Sequence, residues 1–201
     1  MKKLLLLVAP LVIAASLSFI TGDPLTIGSM LPKATIKMKN VAGKMVSIKE
    51  VAGANGTLVM FSCNTCPYVL KNQQRTVAII DFAQKMKVGV IVLNSNEAYR
   101  NEDDSYEAMQ AYAKDQKYNW NYVVDKNNEV ADAFGAKRTP EVFLFNKEGK
   151  LVYHGAIDDN PSDATAVNRH HLKEAVKELV AGNDITVKES RSVGCSIKRK
   201  K

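Results

Sequence analysis

Short apolar runs alternate along the chain with longer segments whose apolar residues recur every three to four positions. The runs predict strands at 57–61, 88–93, 120–124 and 141–145. The first two carry almost no polar residues, which is typical of strands covered on both faces. The longer segments predict amphipathic helices from Cys63 to about Lys87 and over 104–117, 128–134 and 164–181, with Gly182 ending the last one.

Two hairpins complete the pattern. Alternating residues at 34–38 and 44–48 predict one hairpin, and 141–145 pairs with 150–154 in the other. These elements predict an α/β fold with a mixed central sheet, helices on both faces and an added N-terminal hairpin. We expect one domain over residues 21–183, preceded by a leader at 1–20 and followed by a tail at 184–201.

The composition is globular, and the net charge lies at the two ends. The chain is 46% hydrophobic and 24% charged, which excludes global disorder. Its net charge of +7 suggests a nucleic-acid or membrane-surface partner. However, Lys2, Lys3 and the last four residues account for nearly all of the excess, which leaves +1 elsewhere. We therefore expect no nucleic-acid partner and a solvated basic tail.

The first twenty residues have the pattern of a secretory signal peptide. Lys2 and Lys3 precede an apolar stretch that ends in small residues around Ser16 and Ser18. The sequence therefore predicts an exported protein, periplasmic or extracellular, with an uncleaved membrane anchor as the alternative. Disulfide chemistry persists in such compartments.

The main chemical motif is Cys63-Asn64-Thr65-Cys66, placed where a predicted strand ends and a helix begins. The N-terminus of a helix favours a thiolate over a thiol, so this placement predicts a reactive cysteine pair. One thiolate can attack a substrate disulfide, and the second cysteine can resolve the mixed disulfide. A zinc site and a purely structural disulfide are the alternatives. A c-type haem is excluded because Pro67 stands where its histidine would be.

The second motif is Thr139-Pro140, directly before the predicted strand 141–145. Proline cannot donate a ladder hydrogen bond, so it is expected at the start of a strand, where a cis Thr139–Pro140 bond is plausible.

These motifs together resemble the thioredoxin-like superfamily, in particular its secreted, peroxiredoxin-related redoxin branch of thiol–disulfide oxidoreductases. The resemblance extends from Gly28 to Gly182. It implies that Cys63 is the exposed nucleophile and Cys66 the buried resolving thiol. It also implies that Pro140 is a cis-proline beside the site, and that Thr139 offers backbone contacts to a bound partner strand.

The chain departs from its relatives at several positions. Ser62 stands where thioredoxins have tryptophan, and Asn64-Thr65 replaces their Gly-Pro, so the direction of electron flow stays open. The peroxiredoxin pattern Pro-x-x-x-Thr-x-x-Cys is missing, which makes a peroxidase less favoured. Related reductases carry a catalytic acid near the position of Glu97. The preferred interpretation is that Glu97 is a solvated carboxylate in a polar loop that also contains Asn94, Asn96 and Glu102–Asp104.

Cys195 is the odd cysteine of the chain. We consider it a third redox thiol that folds back over the site, an intermolecular disulfide partner, or a buried or idle thiol in a docked tail.

The predicted function is disulfide exchange with protein partners through Cys63 and Cys66, without a cofactor. An external electron donor is required; the sequence does not identify it, and a membrane-bound donor is one option. The alternatives are a thiol peroxidase, and a copper-binding protein or metallochaperone that uses Cys63, Cys66 and His154.

Overall fold

The structure is a computed structural model that describes residues 22–200. Its helices are α1 (Ile48–Val51), α2 (Pro67–Lys85), α3 (Tyr106–Asp115), α4 (Glu129–Phe134) and α5 (His171–Val180). Its strands are β1 (Met38–Lys39), β2 (Met45–Val46), β3 (Thr57–Ser62), β4 (Gly89–Asn94), β5 (Asn121–Val124), β6 (Arg138–Thr139), β7 (Glu141–Phe145), β8 (Leu151–Gly155) and β9 (Cys195–Ser196). Short 3-10 turns occur at Glu97–Tyr99, Lys126–Asn128 and Ala164–Ala166.

The apolar runs form a five-stranded mixed sheet in the order β5-β4-β3-β7-β8. Strands β3, β4 and β5 are parallel, whereas β7 runs antiparallel to both β3 and β8. Ser62, the last residue of β3, is level with Asn94 on β4. The residues that follow these two strands therefore emerge at the same edge of the sheet.

Helices cover both faces of this sheet. On one face, side chains from β3, β4 and β7 pack with α2, α3 and α5, with Met60 and Ile80 fully buried. On the other, Phe61 and Phe143 pack edge-on against Phe134 of α4, and Ile48 of α1 joins the same cluster. The fold class predicted from the sequence is confirmed.

Three predicted boundaries differ from the structure. Helix α2 begins at Pro67 rather than directly after Cys63, with Cys66 as its N-cap. The N-terminal hairpin shrinks to two residues in each strand, because a capping box between Ser47 and Glu50 starts α1 where a strand was expected.

The last helix begins at His171, so its predicted start near Ala164 is wrong. The Asp163 side chain accepts a hydrogen bond from the Thr165 N–H and caps only a single 3-10 turn. Asp159 then accepts from the Asn168 N–H through its side chain, at 3.0 Å, and holds this segment away from a helical path.

The C-terminal segment packs on the domain instead of extending into solvent. The Ser190 N–H donates to the His154 carbonyl, which places this part of the chain beside β8. Further on, β9 pairs with β6. The expectation of a solvated basic tail is wrong for Lys198 and Arg199, because the Lys198 N–H bonds to Asn96 and the Arg199 guanidinium bonds to Asp132.

Within residues 22–200, no helix is both long and apolar enough to cross a membrane. The predicted leader at 1–20 lies outside the described residues.

Candidate active site

The two cysteines of the motif lie at the junction of β3 and α2. Cys63 follows the last residue of β3, and Cys66 caps α2 ahead of Pro67, whose missing N–H costs nothing in a first helical turn. Both are free thiols, with exposed fractions of 2% and 4%. The resemblance to thioredoxin-like proteins implied an exposed Cys63, whereas the structure buries it in a cluster with Cys66 and Val69. Tyr68 and Cys195 pack against this cluster.

Thr139 contacts both sulfur atoms. Its hydroxyl lies 3.4 Å from Cys63 Sγ, and its carbonyl accepts a hydrogen bond from Cys66 Sγ at 3.2 Å. The Thr139–Pro140 bond is cis, as the sequence predicted. Strands β3 and β7 are neighbours in the sheet, and this pairing brings the start of β7 back to the cysteines.

The two thiols interact strongly, so that ionising one makes it harder to ionise the other. Hydrogen bonding with the Cys63 thiol lowers the pKa of Cys66 from its ordinary value of 9.0 to about 4, and the Cys195 thiol adds to this effect. The pKa of Cys63 is raised, first by the Cys66 thiol and then by burial. The Thr139 carbonyl opposes ionisation of Cys66, because it bonds only to the protonated thiol. The coupling therefore favours the loss of one proton from the pair over the loss of two.

Asn64, inside the motif, is held by three hydrogen bonds. Its backbone N–H donates to the Asp104 carboxylate at 2.9 Å, and its side-chain amide donates to the Asp103 carbonyl at 2.7 Å. The Tyr122 hydroxyl donates to the side-chain oxygen of Asn64 at 2.9 Å. These bonds fix the loop between the two cysteines to the segment that precedes α3 and to Tyr122 on β5.

Asp104 is the buried carboxylate of the site. It is fully buried, and besides Asn64 it accepts hydrogen bonds from the side-chain amides of Asn94 and Asn96, at 2.6 and 2.8 Å. Its charge contributes to the raised pKa of Cys63. The expectation that Asp104 is a solvated loop carboxylate is therefore wrong. Its position after the parallel strand β4, at the same edge of the sheet as Cys63, is the signal that could have identified it.

Glu97, the predicted candidate acid, lies in the 3-10 turn after β4. Its carboxylate pairs with the Arg100 guanidinium at 2.8 Å. The structure records no hydrogen bond from Glu97 to either cysteine, and the carboxylate that reaches the motif is that of Asp104.

His154, the predicted third ligand of a copper site, has other partners. Its Nε2 lies 2.8 Å from a carboxylate oxygen of Glu141, and its ring stacks on Phe143. Among residues 22–200, no group of three or more His, Cys, Asp or Glu side chains is arranged to hold a metal ion.

Glu141 is a further site residue that was not predicted from the sequence. Its second carboxylate oxygen accepts hydrogen bonds from the backbone N–H groups of Lys137 and Arg138, at 2.7 and 2.9 Å. These bonds position β6, and with it Thr139, beside the cysteines. An acidic residue in an otherwise apolar strand was the available signal.

A model of the Redoxin family matches residues 26–169 of the chain. The chain belongs to the Redoxin family. An uncharacterised conserved protein from Geobacillus kaustophilus shares 32% identity over 87% of this chain and 93% of its own, with a TM-score of 0.81. A comparison with curated proteins gave no match.

Two more distant structures share the fold of this redoxin. The thioredoxin domain of a thiol-disulfide oxidoreductase from Bacteroides vulgatus is 20% identical and covers 65% of this chain and 88% of its own, with a TM-score of 0.54. A secreted disulfide oxidoreductase from Mycobacterium tuberculosis is 12% identical, with coverages of 75% and 97% and the same TM-score. The fold is thioredoxin-like. Membership of the Redoxin family indicates an oxidoreductase in general.

Proposed function

We propose that this redoxin is an exported thiol–disulfide oxidoreductase that exchanges disulfides with protein partners through Cys63 and Cys66. The observation that carries the proposal is the pair of free thiols whose sulfur atoms both contact Thr139. A thiolate is the form that attacks a disulfide, and the interaction between the two thiols favours the loss of one proton from the pair.

In the proposed reaction, a thiolate of the pair attacks one sulfur of a partner disulfide. The partner's S–S bond breaks, and its other sulfur leaves as a thiolate. The second cysteine of the pair then attacks the mixed disulfide, which closes a Cys63–Cys66 disulfide and releases the partner's remaining sulfur. Two electrons pass from the pair to the partner, and an external thiol donor must return them.

Cys63 is the attacking residue in this proposal and Cys66 the resolving one. The hydroxyl of Thr139 can donate a hydrogen bond to a Cys63 thiolate, whereas the Thr139 carbonyl bonds to the protonated Cys66. Export is supported by the signal-peptide pattern of residues 1–20 and by the secreted neighbour that shares the fold.

The test is catalysis of disulfide reduction in a model protein such as insulin, with dithiothreitol as the electron donor. We expect the wild-type protein to accelerate the reaction and the double variant Cys63→Ser/Cys66→Ser to fall to the uncatalysed rate. Lys85→Ala, at the far end of α2, should retain the wild-type rate. Equal rates for the wild type and the double variant would contradict the proposal, and rapid turnover of hydrogen peroxide alone would favour a peroxidase.

A further inference from the structure

The C-terminal strand β9 pairs with β6, the strand that carries Thr139 and lies beside the two thiols. Cys195 is level with Thr139, and Ser196 with Arg138, in an antiparallel pair that stands apart from the central sheet. Pairing continues at Ile197, whose N–H donates to the Lys137 carbonyl at 3.0 Å. Strand β6 therefore satisfies its hydrogen bonds through a segment that lies more than fifty residues away in the sequence.

Contacts after Cys195 hold the strand in this register. Ile197 is 5% exposed and packs with the apolar cluster that contains Phe134. The Lys198 N–H donates to the Asn96 side-chain oxygen at 2.9 Å, and Asn96 in turn donates to Asp104. The Arg199 guanidinium bonds to the Ala136 carbonyl at 2.7 Å. The tail is thus connected to the same polar network that fixes the cysteine loop.

Gly194 allows the close approach that brings Cys195 to the site. A Cβ atom at this position would lie 2.1 Å from the Thr139 carbonyl oxygen, so any other residue would push the two backbones apart. The Arg138 guanidinium also donates to the Gly194 carbonyl at 3.1 Å. The Gly-Cys dipeptide is therefore fitted to the backbone at Thr139.

The Cys195 side chain packs against the cluster formed by Cys63, Cys66 and Val69. Its thiol interacts with that of Cys66, an interaction that lowers the pKa of Cys66 and raises that of Cys195. All three cysteines of the chain thus meet at one place, with Cys66 in the middle.

We propose that Cys195 is a third redox residue, which exchanges with the Cys63–Cys66 disulfide at the sulfur of Cys66 while its strand occupies the place of a substrate backbone. In this step the Cys195 thiolate attacks Cys66 Sγ, and a Cys66–Cys195 bond forms. The Cys63–Cys66 bond breaks, and its electron pair leaves with Cys63, which takes up the proton that Cys195 lost. No electrons enter or leave the protein, so the exchange needs no added oxidant.

This inference rests on the proposed function and specifies its substrate class. When β9 leaves, the backbone groups of Arg138 and Thr139 lose their partners, and an unpaired strand edge recruits another extended chain. The substrate is then an extended protein segment with a cysteine level with Thr139 and a small residue before it. Such a segment must displace the tail, so the tail competes with substrates.

The redox part of the inference is tested by mapping disulfides in purified variants that each lack one of the three cysteines and keep the other two. Both variants are incubated with oxidised glutathione, and the yield of the intramolecular disulfide is measured. We expect the yield of the Cys66–Cys195 disulfide in Cys63→Ser to be at least five-fold higher than that of the Cys63–Cys195 disulfide in Cys66→Ser. A Cys63→Ser variant without the cross-link, or equal yields in the two variants, would overturn the inference. The proposed function would still stand if the wild type reduced insulin.

The competition part is tested with Gly194→Val, whose side chain clashes with the Thr139 carbonyl. We expect this variant to reduce a protein disulfide with a several-fold higher kcat/KM than the wild type. Ser196→Val is the matched control, since Ser196 is exposed on the same strand and its side chain meets no such obstacle. An unchanged or lower kcat/KM in Gly194→Val would show that the tail does not compete with substrates.

Discussion

Thr139 gives the two cysteines opposite hydrogen-bonding environments. A Cys63 thiolate can accept a hydrogen bond from the Thr139 hydroxyl, which stabilises it. A Cys66 thiolate has no proton to donate and loses the hydrogen bond to the Thr139 carbonyl. Cys195 acts in the other direction, because its thiol favours the charge on Cys66. Departure of the tail removes this contribution and so favours a negative charge on Cys63, the attacking residue of the proposed function.

The coupled ionisation of the two thiols makes the stability of the reduced protein depend on pH. Cys66 has a lowered pKa in the folded state, so the folded protein binds fewer protons than the unfolded chain between about pH 4 and pH 9. The free energy of unfolding should therefore rise with pH across this window, by at most about 1.4 kcal/mol per pH unit. Above pH 9 the free energy of unfolding should fall with pH. The reason is that Cys63, whose pKa is raised, stays protonated in the folded protein while it ionises in the unfolded chain.

Urea unfolding of the reduced protein between about pH 5 and pH 8 measures this dependence. Cys66→Ser is the reference, since serine keeps a hydroxyl but does not ionise in this range. A stability difference between the two proteins that stays constant with pH would contradict the coupled ionisation of the two thiols.

Asp104 fixes the cysteine loop through bonds that only a carboxylate can accept. One carboxylate oxygen of Asp104 accepts from Asn96, and the other accepts from both Asn94 and the Asn64 N–H. In Asp104→Asn an amide nitrogen replaces one of these oxygens, so a donor faces a donor on that side. We expect the free energy of unfolding to fall by about 1–3 kcal/mol, the cost of leaving a buried donor unpaired. The pKa of Cys63 should also fall, because the nearby charge is removed.

Chemical denaturation and the pH dependence of thiol alkylation measure the two effects. Asp103→Asn is the control, since the Asp103 side chain is exposed and its carbonyl makes the bond to Asn64. Equal stability of Asp104→Asn and Asp103→Asn would refute this role for Asp104.

At the scale of elements, the position of β6 depends on Glu141 at the start of β7. Its two carboxylate oxygens hold the Lys137 and Arg138 N–H groups on one side and His154 on the other. In Glu141→Gln a single oxygen remains, so one of these sets loses its acceptor. We expect a loss of about 1–3 kcal/mol in the free energy of unfolding and faster hydrogen exchange at Lys137 and Arg138.

Amide hydrogen exchange followed by mass spectrometry resolves this change. The exposed Glu148→Gln should exchange like the wild type at both amides. Unaltered protection of Lys137 and Arg138 in Glu141→Gln would mean that β6 is positioned by other contacts.

For the whole molecule, periodicity predicted the sheet, its helices and the place of the cysteine pair. Strands such as 57–61 are identified well because an apolar run has few alternatives in a globular chain. The helix start at His171 was missed because side-chain caps, here Asp163 and Asp159, override an amphipathic pattern that continues past them.

The parts of the site that the sequence did not predict depend on contacts between distant segments. Asp104 and Glu141 are polar residues whose burial follows only from the packing of neighbouring strands. The docking of β9 on β6 joins Cys195 to Thr139 across a long separation, and two-residue strands carry no periodic signal. Cys195 itself was noticed in the sequence, but its place beside the cysteine pair follows only from the docking of β9 on β6.

The most direct test of the account is a redox titration of the Cys63–Cys66 pair in glutathione buffers. It is made in a Cys195→Ser background, so that only this pair can form an intramolecular disulfide. We predict one reversible two-electron transition, mapped by mass spectrometry to a Cys63–Cys66 disulfide, with a midpoint between about −270 and −120 mV. A pair that never forms a disulfide, or one with a midpoint below about −300 mV as in structural disulfides, would contradict the account.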